Sequence, residues 1–151
     1  MGFKAAIRST PGLEQAYRPG LQAIRTADHD HISCGSTRTL TGSADLDGAL
    51  AVLLPDDPRW DYAVGLKPRA DREKVIWIEI HPASSHHVDE VLKKFTWLKG
   101  WLRTHALQLN AFPPEFVWIA SGSVALRRGS PQIRKLAAQG LRFAGGHLHL
   151  T

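Results

Sequence analysis

One cysteine, Cys34, is all the chain contains, so no disulfide can form within it and no zinc finger can be built from thiolates. That scarcity fits a reducing compartment, and a cytoplasmic location is expected. No run approaches the roughly 18 consecutive apolar residues of a membrane helix. The opening stretch MGFKAAIRSTPGLEQ lacks an apolar segment of signal-peptide length, so no membrane association is expected. Internal repeats and low-complexity tracts are absent. Neither a Gly-x-Gly-x-x-Gly nor a Walker loop occurs, which removes the usual phosphate cradles of NAD and NTP binding. Ser121 sits in Ser-Gly-Ser and not in Gly-x-Ser-x-Gly, so a hydrolase nucleophile elbow is not supported.

What is present suits a globular chain. A length of 151 residues with 43% apolar and 22% charged residues can bury one hydrophobic core, and a single domain over 1–151 is expected. The formal charge is +5, with eight histidines that add charge below neutral pH. A basic balance favours polyanionic partners, because contact with phosphates releases counterions. Nucleic acid and another protein are both candidate partners, and the oligomeric state stays open at this level.

Hydrophobic spacing divides the chain into elements. Pro11–Arg25 places Leu13, Ala16, Tyr17, Leu21 and Ile24 at helical intervals, with a kink or break at Pro19-Gly20. Residues 26–44 read as loop with one short strand near Thr37–Leu40. Asp45–Leu54 follows Ser43, a good N-cap, and reads as a short helix, with a strand as the alternative. Trp60–Leu66 is a strand, Lys67–Lys74 a charged loop, and Val75–His81 a β-branched and aromatic strand ended by Pro82. An amphipathic helix follows, capped by Ser84 or Ser85, with Val88, Val91, Leu92, Phe95, Leu98 and Leu102 as its apolar stripe. Phe116–Ala120 is a buried strand, Pro131–Gln139 a helix, and His147–Leu150 a final short strand. The order predicts an α/β fold of the α+β kind: a mixed central sheet of about four or five strands with flanking helices.

The densest chemistry lies on the predicted hairpin. Side chains alternate along a strand, so Glu79 and His81 share a face with Val75 and Trp77, while Ile76, Ile78 and Ile80 face the other way. Antiparallel pairing through the 67–74 loop puts Asp61 opposite either Glu79 or His81, and in both registers the three polar groups share one face. Two carboxylates and an imidazole at that range suit a hard divalent cation such as Mg²⁺ or Mn²⁺. Only apolar side chains alternate with Glu79, so no structural partner is expected for it. The competing reading is a solvated strand edge, with Asp61 capping a turn.

Asp61, followed eighteen positions on by Glu79-Ile80-His81, then an amphipathic helix and a further apolar strand, resembles the core of the PD-(D/E)XK nuclease superfamily over roughly residues 45–122. The resemblance implies a restriction-endonuclease-like core preceded by a helix, here 11–25, in which Glu14 is an optional acid. It implies metal held by Asp61 and Glu79, and hydrolysis of DNA or RNA phosphodiesters. Two departures matter: Trp60 precedes the Asp where the family has Pro, and His81 stands where the family has Lys. His81 is then a third metal ligand, a general base, or a mark of activity lost. Some nucleases of this type supply the Lys from the following helix, which points to Lys94 ahead of Lys93. The readings left open are a metal-dependent nuclease, a non-catalytic interaction domain of antitoxin or immunity type that keeps the fold, and a nucleic-acid-binding module without chemistry.

Lesser candidates surround this group. Asp28-His29-Asp30-His31 near Cys34 has metal-ligand types at no standard spacing. His86-His87 opens the amphipathic helix, and His86 is the member expected within reach of the hairpin. Asp45 and Asp47 read as acids favouring a helix N-terminus. Lys93, Lys99, Arg103, Arg127, Arg128, Arg134 and Lys135 supply basic surface. Trp77, Trp97, Trp101 and Trp118 read as core and not as base-stacking platforms.

Overall fold

The computed structural model describes residues 1–127 and 129–151, so Arg128, one of the expected basic residues, lies outside the described residues. In chain order the elements are α1 (Phe3–Arg8), β1 (Tyr17–Arg18), β2 (Ile32–Cys34), β3 (Leu40–Asp45), α2 (Leu46–Leu50), β4 (Tyr62–Leu66), β5 (Lys74–Ala83), α3 (Val88–His105), α4 (Leu107–Asn110), β6 (Pro114–Val124), α5 (Pro131–Ala138), β7 (Leu141–Phe143) and β8 (Leu148–Leu150). A six-stranded sheet runs in the order β1-β3-β4-β5-β6-β7. Its first four strands pair antiparallel, and β6 and β7 continue in parallel. β2 and β8 form a separate parallel pair.

The fold is thus the mixed α/β class expected, with six strands in the main sheet and not four or five. The difference has a plain cause. β1 and β7 are two and three residues long, too short for an alternating pattern to show. β3, Leu-Thr-Gly-Ser-Ala-Asp, is built of small and polar residues that read as loop.

Helical spacing over 11–25 misleads. The leading helix is Phe3–Arg8, which buries Phe3, Ala6 and Ile7. Pro11-Gly12 and Pro19-Gly20 break the following stretch into turns, with Gly12 and Gly20 both at positive φ. Leu13 and Ile24 still reach the core, Tyr17 pairs with Ala44 on β3, and Glu14 is exposed in a turn. Further on, β3 runs through to Asp45, and α2 covers only Leu46–Leu50. Its cap is Asp45, whose carboxylate accepts from the Gly48 amide at 2.9 Å, and not Ser43. Ser43 is buried within β3 and accepts from the Ala23 amide at 3.0 Å.

Both faces of the main sheet are covered. On one face Ala63, Val75, Trp77 and Trp118 pack with Phe3, Phe95 and Leu136 beneath α1, α3 and α5. On the other, Tyr62, Val64, Ile76, Ile78, Val117 and Ile119 meet Ile24, Ile32, Leu148 and Leu150 around the β2–β8 pair. Helix α3 buries Val88, Val91, Phe95, Leu98 and Leu102 along the expected stripe, together with Trp101. Asp89 and Glu90 lie in its first turn, and Arg103 and His105 in its last, as the helix dipole favours. A Cβ added to Gly65 of β4 would come 2.6 Å from Cγ of Phe3, so the missing side chain lets α1 sit down on the sheet. Among the described residues no helix is long and apolar enough to cross a membrane.

Candidate functional site

β4 and β5 pair with Tyr62 opposite Ile78 and Ala63 opposite Trp77. One step further this register sets Asp61 against Glu79, the first of the two arrangements open to the sequence. The pair then interlocks through backbone. The Asp61 amide donates to Glu79 Oε1 at 3.2 Å, and the Ile80 amide donates to Asp61 Oδ2 at 2.9 Å. Glu79 is fully buried and Asp61 is 6% exposed. Both lie on the sheet face that α3 covers, and Lys94 of α3 reaches down so that its ammonium meets Glu79 Oε2.

The expectation that Glu79 lacks a structural partner is therefore corrected. It accepts from the Asp61 amide, pairs with Lys94, and lies 3.4 Å from His81 Nδ1. Side-chain size explains the error. Lys94 sits a turn and a half into a helix that crosses β5, and its long stem brings a charge from an element whose apolar stripe alone reads as packing. Asp61 in turn lies 3.5 Å from Arg25, which also spans Asp47 and Asp28 at 3.5 and 3.6 Å and donates from Nε to the Tyr62 hydroxyl at 2.7 Å.

The electrostatics follow from these neighbours. Burial, and then the Glu79 carboxylate, push the Asp61 carboxyl up to about 7, against the opposing pull of Lys94, the Ile80 amide and Arg25. His81 is raised above the ordinary imidazole range by its contact with Glu79; burial opposes this, and Glu90 adds to it. The Nε2 of His81 stands 3.2 Å from Glu90 Oε2, an ion-pair distance without the alignment of a hydrogen bond. That buried nitrogen has no hydrogen-bond partner among the described residues.

Asp61, Glu79, His81 and Lys94 are thus brought together. Among the described residues, however, the three potential ligands whose donor atoms all lie within 4.8 Å of one another are His81, His87 and Glu90. From the sequence, His86-His87 is one candidate pair at a helix start and Glu90 an acid of the first turn. His86, the member expected near the hairpin, is exposed, and His87 is the one turned toward His81, with ring centroids 5.4 Å apart. The available signal is the spacing itself: a strand-end His, then a His and a Glu three residues apart across the start of a helix, where positions i and i+3 share a face.

The remaining candidates are occupied individually. His29 contacts the Ile24 carbonyl at 2.6 Å, His31 the Gly146 carbonyl at 2.8 Å, and the Cys34 thiol donates to the Ser36 carbonyl at 3.1 Å. Asp47 pairs with Arg59 at 3.0 Å. Trp77 and Trp118 are core, while Trp97 stacks on Trp101 at 5.6 Å and donates to Asp57 at 2.8 Å. Of the basic residues, Lys99 lies over the Phe95 ring at 4.3 Å.

Asp61 and Glu79 oppose each other in a buried position with every carboxylate oxygen facing a protein donor: the Asp61 amide and Lys94 at Glu79, the Ile80 amide and Arg25 at Asp61. A divalent cation between them would therefore have to displace Lys94. No family model, curated protein or solved structure matches the chain, so the site stands on its own geometry.

Proposed function

We propose that the chain is a nuclease-like domain that hydrolyses phosphodiesters of DNA or RNA with Mg²⁺ or Mn²⁺ held by Asp61 and Glu79. The observation that carries this reading is the meeting of Asp61, Glu79 and Lys94. Asp61 enters β4, Glu79 lies opposite it on β5, and Lys94 comes from the helix that follows. Around them runs a helix, an antiparallel β3-β4-β5 meander, a helix and a parallel strand. The succession of two hairpin strands, α3 and a further apolar strand is the feature on which the PD-(D/E)XK resemblance rests, and in this proposal Lys94 supplies the ammonium that the Glu-x-Lys position here lacks.

A bound divalent ion would polarise the phosphate and lower the pKa of an attacking water. The protein's own groups have separable parts in this scheme. Asp61 and Glu79 supply the negative charge that holds the ion. Lys94 offsets the charge of Glu79 and stands ready to stabilise charge that develops on phosphate oxygen. His81, its proton affinity raised by Glu79, has Nε2 without a hydrogen-bond partner among the described residues and can offer it to water or phosphate. The net charge of +5 favours approach of a polyanion.

The test is a calorimetric titration of Mn²⁺ into wild type and Glu79→Ala, paired with cleavage assays on labelled DNA and RNA with and without chelator. One bound Mn²⁺, lost in the variant, and chelator-sensitive cleavage are expected. Heat that ignores the mutation counts against the site. Binding without cleavage of either polymer leaves an interaction domain that retains the fold.

A further inference from the structure

We propose a second cation site, for a borderline transition metal of the Zn²⁺ type, formed by His81, His87 and Glu90 where β5 passes into α3. The three donor atoms already lie within 4.8 Å of one another. His81 Nε2 and Glu90 Oε2 are 3.2 Å apart. Bonds of about 2.0–2.1 Å arranged tetrahedrally place neighbouring ligand atoms about 3.4 Å from each other, so this edge of the polyhedron is close to its bound length. Two imidazoles and one carboxylate favour Zn²⁺, Co²⁺ or Ni²⁺ over Mg²⁺, which prefers oxygen donors throughout.

The surroundings of the three groups supply the second argument. Metal-binding imidazoles are commonly fixed through their other nitrogen by a carboxylate or another polar group. Glu79 Oε2 stands 3.4 Å from His81 Nδ1, and Ser84 Oγ stands 2.8 Å from His87 Nδ1. The His87 ring is held from behind by a hydrogen bond and the His81 ring faces Glu79 at ion-pair distance, so the Nε2 of each remains for a ligand bond. On His81 that nitrogen is buried and lacks a hydrogen-bond partner among the described residues. The strand end that carries His81 is itself fixed, because the Trp118 indole donates to the His81 carbonyl at 3.0 Å. Glu90, by contrast, has a side chain 57% exposed and is free to swing the remaining distance. Three protein ligands at such a mouth leave a coordination position open to solvent, as in catalytic and not structural zinc sites.

This site uses a different set of ligands from the one proposed for Mg²⁺ or Mn²⁺, but both draw on His81, whose Nε2 cannot bind a metal and donate to water or phosphate at once. Asp61 takes no part in it, and Glu79 serves it only from behind His81. Its ligands come from a short local run, residues 81–90, and need no long-range closure.

The test uses the full chain without an affinity tag. Zn²⁺ alone is titrated calorimetrically, and Co²⁺ serves as a visible-absorption probe, in wild type, His87→Ala, Glu90→Gln and Asp61→Asn. The expected result is one Zn²⁺ per chain and a tetrahedral Co²⁺ band, both weakened at least about tenfold in His87→Ala and Glu90→Gln. Asp61→Asn should keep Zn²⁺ binding while losing Mn²⁺ binding, so either site can fail without the other. A Zn²⁺ affinity indifferent to His87→Ala and Glu90→Gln overturns the proposal. So does an affinity lost instead on replacing His147 and His149, which both contact Ser33 Oγ at 2.8 Å on the far side of the sheet. His87 and Glu90 are only partly buried or exposed, so their replacement leaves the fold in place for the measurement.

Discussion

Asp61 and Glu79 each accept a backbone amide from the other's strand, Glu79 from Asp61 itself and Asp61 from Ile80. The two acids therefore close the end of the β4–β5 ladder with side chains where main-chain bonds stop. This puts negative charge in a buried place, and several measurable consequences follow from how that charge is balanced.

The first concerns pH. Asp61 is raised from an ordinary 3.8 to about 7, chiefly by burial. For an acid with a raised folded-state pKa, its favourable share of stability is complete below about 4, declines as pH rises, and is gone above about 7. Asn keeps an oxygen for the Ile80 amide without the charge. With chelator present, Asp61→Asn should match wild type near pH 4 and exceed it at pH 8 by on the order of 4 kcal/mol. Urea unfolding across that range checks the difference, and parallel curves for the two proteins would refute it.

Lys94 is the next point of balance. Removing one partner of a buried ion pair leaves an uncompensated charge, and Lys94→Met should cost about 3 kcal/mol of unfolding free energy. Glu79→Gln combined with Lys94→Met should recover much of that loss. A double variant no better than the single one would show that Lys94 supports the fold through its stem alone.

His81 is expected to hold its proton above the usual imidazole range, with Glu79 the main cause and Glu90 a smaller one. Titration of the His C2 proton by NMR should move downward in Glu79→Gln, and less in Glu90→Gln. Stability from this group is complete below about 6.5 and is lost as pH rises through the folded value, the usual sign for a histidine that gains a partner. An unshifted titration in Glu79→Gln would detach His81 from that carboxylate.

A fourth expectation lies outside the site. At Gly65 a methyl group would press into Thr41 on β3 and Phe3 on α1, so Gly65→Ala should destabilise by about 1–3 kcal/mol through displacement of both. Denaturant midpoints of the two proteins decide it.

How far these features can be read in the sequence varies with the physics behind each. β5 is legible because Val75–Ile80 is β-branched and aromatic and Pro82 follows, and α3 because its stripe repeats over the whole helix. The face shared by Asp61, Glu79 and His81 is also legible, since alternation along a strand leaves no choice. The register is only half so, because the 67–73 loop carries no two-residue turn signal to set it. Lys94 enters through the family resemblance, whereas its pairing with Glu79 depends on how α3 crosses the sheet. Over 11–25, apolar spacing and two Pro-Gly steps point in opposite directions, and the backbone restriction prevails. His87 and Glu90 are easy to pass over because a helix start enriched in acids and polar groups has an ordinary explanation in the dipole.

The borders of both sheets carry one last implication. Every outer strand, β1, β7, β2 and β8, is three residues or shorter, while the ten- and eleven-residue strands β5 and β6 lie inside the main sheet and outrun their neighbours, β4 pairing with β5 as far as Ile78 and β7 with β6 over Phe116–Trp118. Such stubs offer few unpaired amides and carbonyls to a visiting chain, which discourages ribbon-on-ribbon aggregation. At those stubs a docked peptide would gain little from β-augmentation and would be held mainly by side chains.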